Sequence, residues 1–265
     1  MTPATRVLTV LLMTGVMFEF PLMTASAQDA AGNRFQIPPS DEGLPGSGPI
    51  RRYDWFQNLW TNRRSMWAEQ VQQDQGALIF LGDSITQGWG PDMRNNFPDI
   101  KVANRGISGD TTRGVLIRLE EDVIAVNPQG VALLIGTNDL DEQGTPEQIA
   151  GNVKLIIEKL HEADPEMPIV LSEVFPSSAE KNRPTEKIQD INRRYREIAE
   201  NDPQVYLVET FALFANDQGD AKPEEFPDLL HPNQIGYEKW RAELAPIFEE
   251  LGFGKKSEGA SESKE

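Results

Sequence analysis

The sequence predicts an α/β fold built on a parallel sheet that is buried on both faces. Three observations carry this. Short apolar runs alternate with amphipathic stretches, the runs are continuously apolar, and polar motifs follow directly on several of them. In order the runs are ALIFL (77–81), IKVAN (100–104), GVALLIG (130–136), PIVLSEV (168–174) and VYLV (205–208). Helical spacing covers about 112–126, 145–163, 184–201 and 233–250. The stretch at 145 opens on Thr145-Pro146-Glu147, a capping residue followed by proline at the first helical position. In sheets of this kind chemistry gathers at the carboxyl ends of the strands.

The ends of the chain read differently. Residues 1–27 place Arg6 before an apolar stretch, Val7 to Phe18, and finish on Ala25-Ser26-Ala27. This is the pattern of a cleavable secretory signal, so a secreted or periplasmic location is expected. The apolar stretch is too short to span a bilayer, so stable membrane insertion after cleavage is not expected. Residues 28–50, rich in Pro, Gly, Ser and Asp, read as a linker. Residues 51–253 read as one catalytic domain and 254–265 as a disordered tail.

Composition sets limits on function. A net charge of −17 argues against nucleic acid or an anionic membrane as partner, since a phosphate backbone needs a basic face. The absence of cysteine excludes disulfides, thiolate catalysis and thiolate metal sites.

The strand ends carry the chemistry. The first run delivers Gly82-Asp83-Ser84, the second NRGISGDTT with Gly109, and the third GTND with Asn138. Before the last helix comes DLLHPNQIGY, with Asp228 and His231. A serine hydroxyl attacks only when a base takes its proton, and the usual base is imidazole. The chain has two histidines. His161 closes an amphipathic helix, where a structural role at the helix end is expected. His231 has a carboxylate three positions earlier, a spacing that can place Asp228 beside one ring nitrogen and leave the other free to face Ser84, the alternative being a structural Asp-His turn. The backbone N–H groups of Ser84 and Gly109 and the side-chain amide of Asn138 are candidate oxyanion donors. Asp83 and Asp139 are expected to order their loops, Arg105 and Gln87 are candidates to line the pocket, and Trp89 is a buried ring or a stacking surface for a sugar.

Taken together, GDSITQ, NRGISGD, IGTND and DLLHP resemble the four blocks of the SGNH hydrolases, the GDSL-type esterases and lipases. Within that family, GDTTRGVLIRL, LLIGTND and LHPNQIGY look most like the catalytic subunits of platelet-activating-factor acetylhydrolase type Ib and bacterial secreted carbohydrate acetyl esterases. The resemblance implies a three-layer α/β/α sandwich with a five-stranded parallel sheet, flavodoxin-like in plan. It also implies Ser84 as nucleophile, His231 as base, Asp228 as its orienter, an oxyanion hole of Ser84, Gly109 and Asn138, and no cofactor or metal. The activity it implies is hydrolysis of a small acyl ester, with acetylated carbohydrate or a lysophospholipid-type lipid as alternative substrates. Two rival classes are a metal-dependent phosphoesterase using Asp83, Asn138, Asp139 and His231, and a binding module without catalysis. The first would need more ligands than the chain's histidines supply.

Overall fold

The computed structural model describes residues 34–90 and 92–254. The expected signal at 1–27 and nearly all of the expected tail at 254–265 lie outside the described residues. In chain order the elements are α1 (Asp54–Asp74), β1 (Leu78–Gly82), α2 (Ser84–Gly88), α3 (Asp92–Asn96), β2 (Val102–Gly106), α4 (Thr112–Asp122), β3 (Gly130–Leu134) and α5 (Thr137–Asp141). There follow α6 (Pro146–Ala163), β4 (Ile169–Ser172), α7 (Thr185–Glu200), β5 (Val205–Val208), α8 (Thr210–Phe214) and α9 (Gln234–Glu250).

The five strands form one sheet in the order β2-β1-β3-β4-β5, with every neighbouring pair parallel. Leu78 pairs with Val102 on one side and Gly130 on the other, which places β1 in the middle of the switch in strand order. Clefts for ligands open at such a switch, and Ser84 follows β1 directly.

The sheet is covered on both faces because its strands are apolar on both. Ile79, Leu81, Val131 and Leu133 pack with Val115 and Leu119 of α4, Ile149 and Val153 of α6, and Ile188 and Ile191 of α7. On the opposite face Leu78, Phe80, Ala132 and Leu134 pack with Trp240, Leu244 and Phe248 of α9. The cap expected at Thr145 is a full capping box: Thr145 accepts from the Gln148 backbone and the Gln148 side chain accepts from Thr145. The helix expected to run to 126 stops at Asp122, and a 3₁₀ turn continues at Ile124–Val126.

Two features differ from the sequence-based expectation. The first is α1, whose inward stripe of Phe56, Trp60, Arg64 and Trp67 is interrupted by a charge. Arg64 is buried against Asp122, and Arg105 joins the same cluster through Asp74 at 2.7 Å and the Asp122 carbonyl at 2.8 Å. Arg105 is therefore part of the packing between α1 and β2 and does not line the pocket beside Ser84.

The second is the expected linker at 28–50, which from Phe35 onwards is bound to the domain. Phe35 and Ile37 are buried, and Arg113 of α4 donates to the Pro45 and Gly48 carbonyls. Asn152 of α6 bonds both the N–H and the C=O of Ser47, and Thr111 donates to the Pro49 carbonyl. A Pro- and Gly-rich segment without regular structure has unpaired backbone groups, and these side chains satisfy them.

Candidate active site

Ser84 is the first residue of α2. Asp83 caps that helix by accepting from the Ile85 N–H at 2.9 Å, so the chain turns sharply where β1 ends. The hydroxyl of Ser84 lies 2.9 Å from Nε2 of His231, and Nδ1 of that ring lies 2.7 Å from Asp228 Oδ2. The remaining oxygen, Oδ1, accepts from the backbone N–H groups of His231 at 2.7 Å and Leu230 at 3.1 Å. Leu229 adopts a left-handed conformation, φ 61°, and the bend brings the carboxylate back over the following two amides. Its carbonyl is held by the Ser177 hydroxyl at 2.7 Å. Burial opposes the charge on Asp228, but the His231 ring, its backbone N–H and that of Leu230 outweigh it and bring the carboxyl down to about 2. The carboxylate is ionised at neutral pH, which suits an imidazole that must become positive. The imidazole and carboxylate are about half exposed, so the hydroxyl faces an open surface.

The turn after β2 lies against the turn after β1. The Ile107 N–H bonds the Gly82 carbonyl at 3.1 Å, and the Ser108 N–H bonds Gln87 Oε1 at 2.8 Å. Gln87 thus braces this turn. Gly109 has φ +89°, and a Cβ there would lie 2.7 Å from the Trp55 ring and 2.9 Å from Arg51. Neither the Ser84 nor the Gly109 N–H is taken up by a hydrogen bond among the described residues. Asn138, in the first turn of α5, donates one amide hydrogen to the Asp110 carbonyl at 3.0 Å and accepts from Arg183 at 3.2 Å.

Arg183 lies in the loop after β4, where no motif of the sequence marks it. It is buried, donates to Thr137 Oγ1 at 3.0 Å, and determines which end of the Asn138 amide faces the site. Its local signal is slight: an arginine before proline in KNRP. Arg51 was hidden by the expected linker beside it, and it bonds Asp141 and Glu142 just beyond Asn138, each at 2.6 Å.

Buried carboxylates surround the site. Burial raises Asp83 to about 6, against the pull of the Ile85 N–H and of the nearby His231, Arg183 and Arg51. Burial likewise raises Asp139 to about 7, opposed by hydrogen bonds from the Thr112 hydroxyl and N–H, which tie α5 to α4. Among the described residues no group of three or more His, Asp or Glu is gathered as a metal-ion cage. His161 closes α6 with Nε2 3.1 Å from the Met167 carbonyl, far along the chain from these loops. Trp89 is 4% exposed and stacks near Trp240, so the sugar-stacking alternative for this ring does not hold.

The chain is 27% identical to platelet-activating factor acetylhydrolase IB subunit alpha1 of Pongo abelii over 206 residues, covering 75% of this chain and 87% of that protein. Its fold is shared with a GDSL-like lipase from Bacteroides thetaiotaomicron, with TM-score 0.62, 24% identity and coverage of 72% of this chain and 96% of the other. It is shared also with an acetyl xylan esterase, with TM-score 0.55, 21% identity and coverage of 64% and 98%. Residues 80–239 match the GDSL-like lipase/acylhydrolase family. With the five-stranded parallel sheet and a serine set after its first strand, that match makes the chain a member of this family, an SGNH-type ester hydrolase.

Proposed function

We propose that the enzyme cleaves small acyl esters, acetyl above all, through an acyl-Ser84 intermediate. The observation that carries this reading is the unbroken relay from Ser84 Oγ to His231 Nε2 and from His231 Nδ1 to Asp228, at 2.9 and 2.7 Å. His231 takes the hydroxyl proton as Ser84 attacks the carbonyl carbon, then returns it to the leaving alcohol. The same imidazole next removes a proton from water, which attacks the acyl-enzyme and releases the acid. The Ser84 and Gly109 N–H groups and the second amide hydrogen of Asn138 hold the oxyanion. Asp228, ionised, keeps the ring in the tautomer that presents a bare Nε2 to the serine. The preference for acetyl is supported by the acetylhydrolase named among its relatives.

Replacing Ser84 by Ala is expected to lower turnover on the order of a millionfold while leaving the thermal transition in place. Loss of fluorophosphonate labelling should accompany it. Retention of a few per cent of wild-type activity would refute the assignment. A panel of p-nitrophenyl esters tests the acyl group, and a preference for C8 over C2 would overturn the acetyl assignment. We also infer export from the cytoplasm, on the basis of Arg6, the apolar stretch after it and the Ala-Ser-Ala site. Terminal sequencing of the exported protein should find Gln28 first.

A further inference from the structure

Tyr53 and Trp55 leave two large rings in water. Their centroids are 6.4 Å apart, their planes lie within 12°, and they are 53% and 52% exposed. The aromatic residues that follow in α1, namely Phe56, Trp60 and Trp67, are almost wholly buried. The exposed pair is therefore not part of the stripe that packs the helix. Single exposed rings are ordinary on protein surfaces, but two near-parallel stacked rings, each about half exposed, form one apolar bench that water covers poorly.

The position of the bench is informative. Trp55 rests on Gly109, where its ring would touch any Cβ. The Tyr53 hydroxyl reaches Glu142 at 3.4 Å, immediately past the helix that carries Asn138. Arg51, two positions before Tyr53, pins this stretch to Asp141 and Glu142. The bench thus flanks both loops that carry the candidate oxyanion donors, where the alcohol part of an ester would lie.

We infer that Tyr53 and Trp55 form a stacking subsite for a sugar ring in the leaving alcohol, so that the acyl group cleaved at Ser84 is carried by a carbohydrate. This rests on the esterase reading above. The faces of aromatic rings are electron-rich, and the C–H groups on one face of a pyranose carry partial positive charge, so the two surfaces match in shape and sign. A phosphate-bearing head group fits worse, because Arg51, Arg52 and Arg113 are already paired with Asp141, Glu142 and Asp41, in a chain of net charge −17. A quaternary ammonium is best held in a cage of rings with a spare carboxylate. Here the rings are parallel, and Glu142 is already bonded to Arg51 and Tyr53.

The test has two arms, both on the full-length protein. In the first, xylohexaose, cellohexaose and N-acetylchitohexaose, none of them an ester of the scissile kind, are titrated while tryptophan fluorescence and heat are followed. Saturable binding of one of them, weakened about tenfold or more by Trp55→Ala and largely kept by Trp55→Phe, is the expected result. In the second, kcat/KM is compared between acetylated xylo-oligosaccharide and ethyl acetate. The ratio should fall about tenfold in Trp55→Ala and in Tyr53→Ala, through KM rather than kcat. No binding in the first arm or an unaltered ratio in the second would overturn the inference. Failure of wild-type protein to cleave ethyl acetate or to take up fluorophosphonate would instead bring down the esterase reading.

Discussion

At the scale of single residues, the role proposed for Ser84 depends on groups outside the relay itself. Arg183 fixes the Asn138 amide by holding its oxygen, and the amide hydrogens are then aimed by default. Asn138→Ala is expected to cost about 10²–10³-fold in kcat. Arg183→Gln should cost less, and adding it to Asn138→Ala should cost little more, because both act on one donor. Steady-state kinetics on the three variants checks this, and independent, fully additive losses would separate Arg183 from Asn138. Ser84, Asp228 and His231 were legible in the sequence because histidine is scarce here and one of the two sits beside a carboxylate. Arg183 was not, since its role depends on a loop 45 positions away folding back onto α5. The left-handed Leu229 was equally hidden, because no local pattern marks a leucine for that conformation.

At the scale of elements, the strands were easiest to read and α1 hardest. A strand buried on both faces is a plain apolar run, and β1, β3 and β4 were visible as such; β2, which carries Asn104 and Arg105, runs from Val102 to Gly106, two positions beyond the expected 100–104. The inward face of α1 carries an arginine between tryptophans, so its periodicity is blurred although the helix is long. The charge is tolerated because Asp122 accepts from Arg64 at 3.0 Å inside the same contact. Trp60→Ala is expected to destabilise the fold by about 3–5 kcal/mol, since a fully buried indole leaves a cavity that helix and loop cannot close. Thr145→Ala, which removes one half of the capping box on α6, should cost about 1 kcal/mol. Urea denaturation at equilibrium measures both, and a smaller loss for Trp60 than for Thr145 would show that α1 is peripheral to stability.

At the scale of the whole molecule, the stretch from Phe35 to Ile50 is a strap across α4 and α6. A protein beginning at residue 51 is expected to melt at a lower temperature than one beginning at 34, because Phe35, Ile37 and the Arg113 contacts go with the strap. Equal melting temperatures would restore the linker reading. Buried acids give the fold a characteristic response to pH. The Asp139 carboxyl stands at about 7 when folded, against its ordinary 3.8, so the native state holds a proton that the unfolded chain has already released. Between these values stability falls as pH rises, by up to about 1.4 kcal/mol per pH unit from this group. Asp139→Asn should flatten that dependence between about pH 4 and 7 by close to one proton. Matching slopes in urea titrations of both proteins would mean that Asp139 is charged in the folded state. The chain order of the relay has a further effect, during synthesis. Ser84 and His231 lie 147 positions apart, and the histidine is translated late. A chain truncated anywhere between them would carry the hydroxyl without the imidazole that the proposed relay requires, so no fragment ending before His231 is expected to hydrolyse esters.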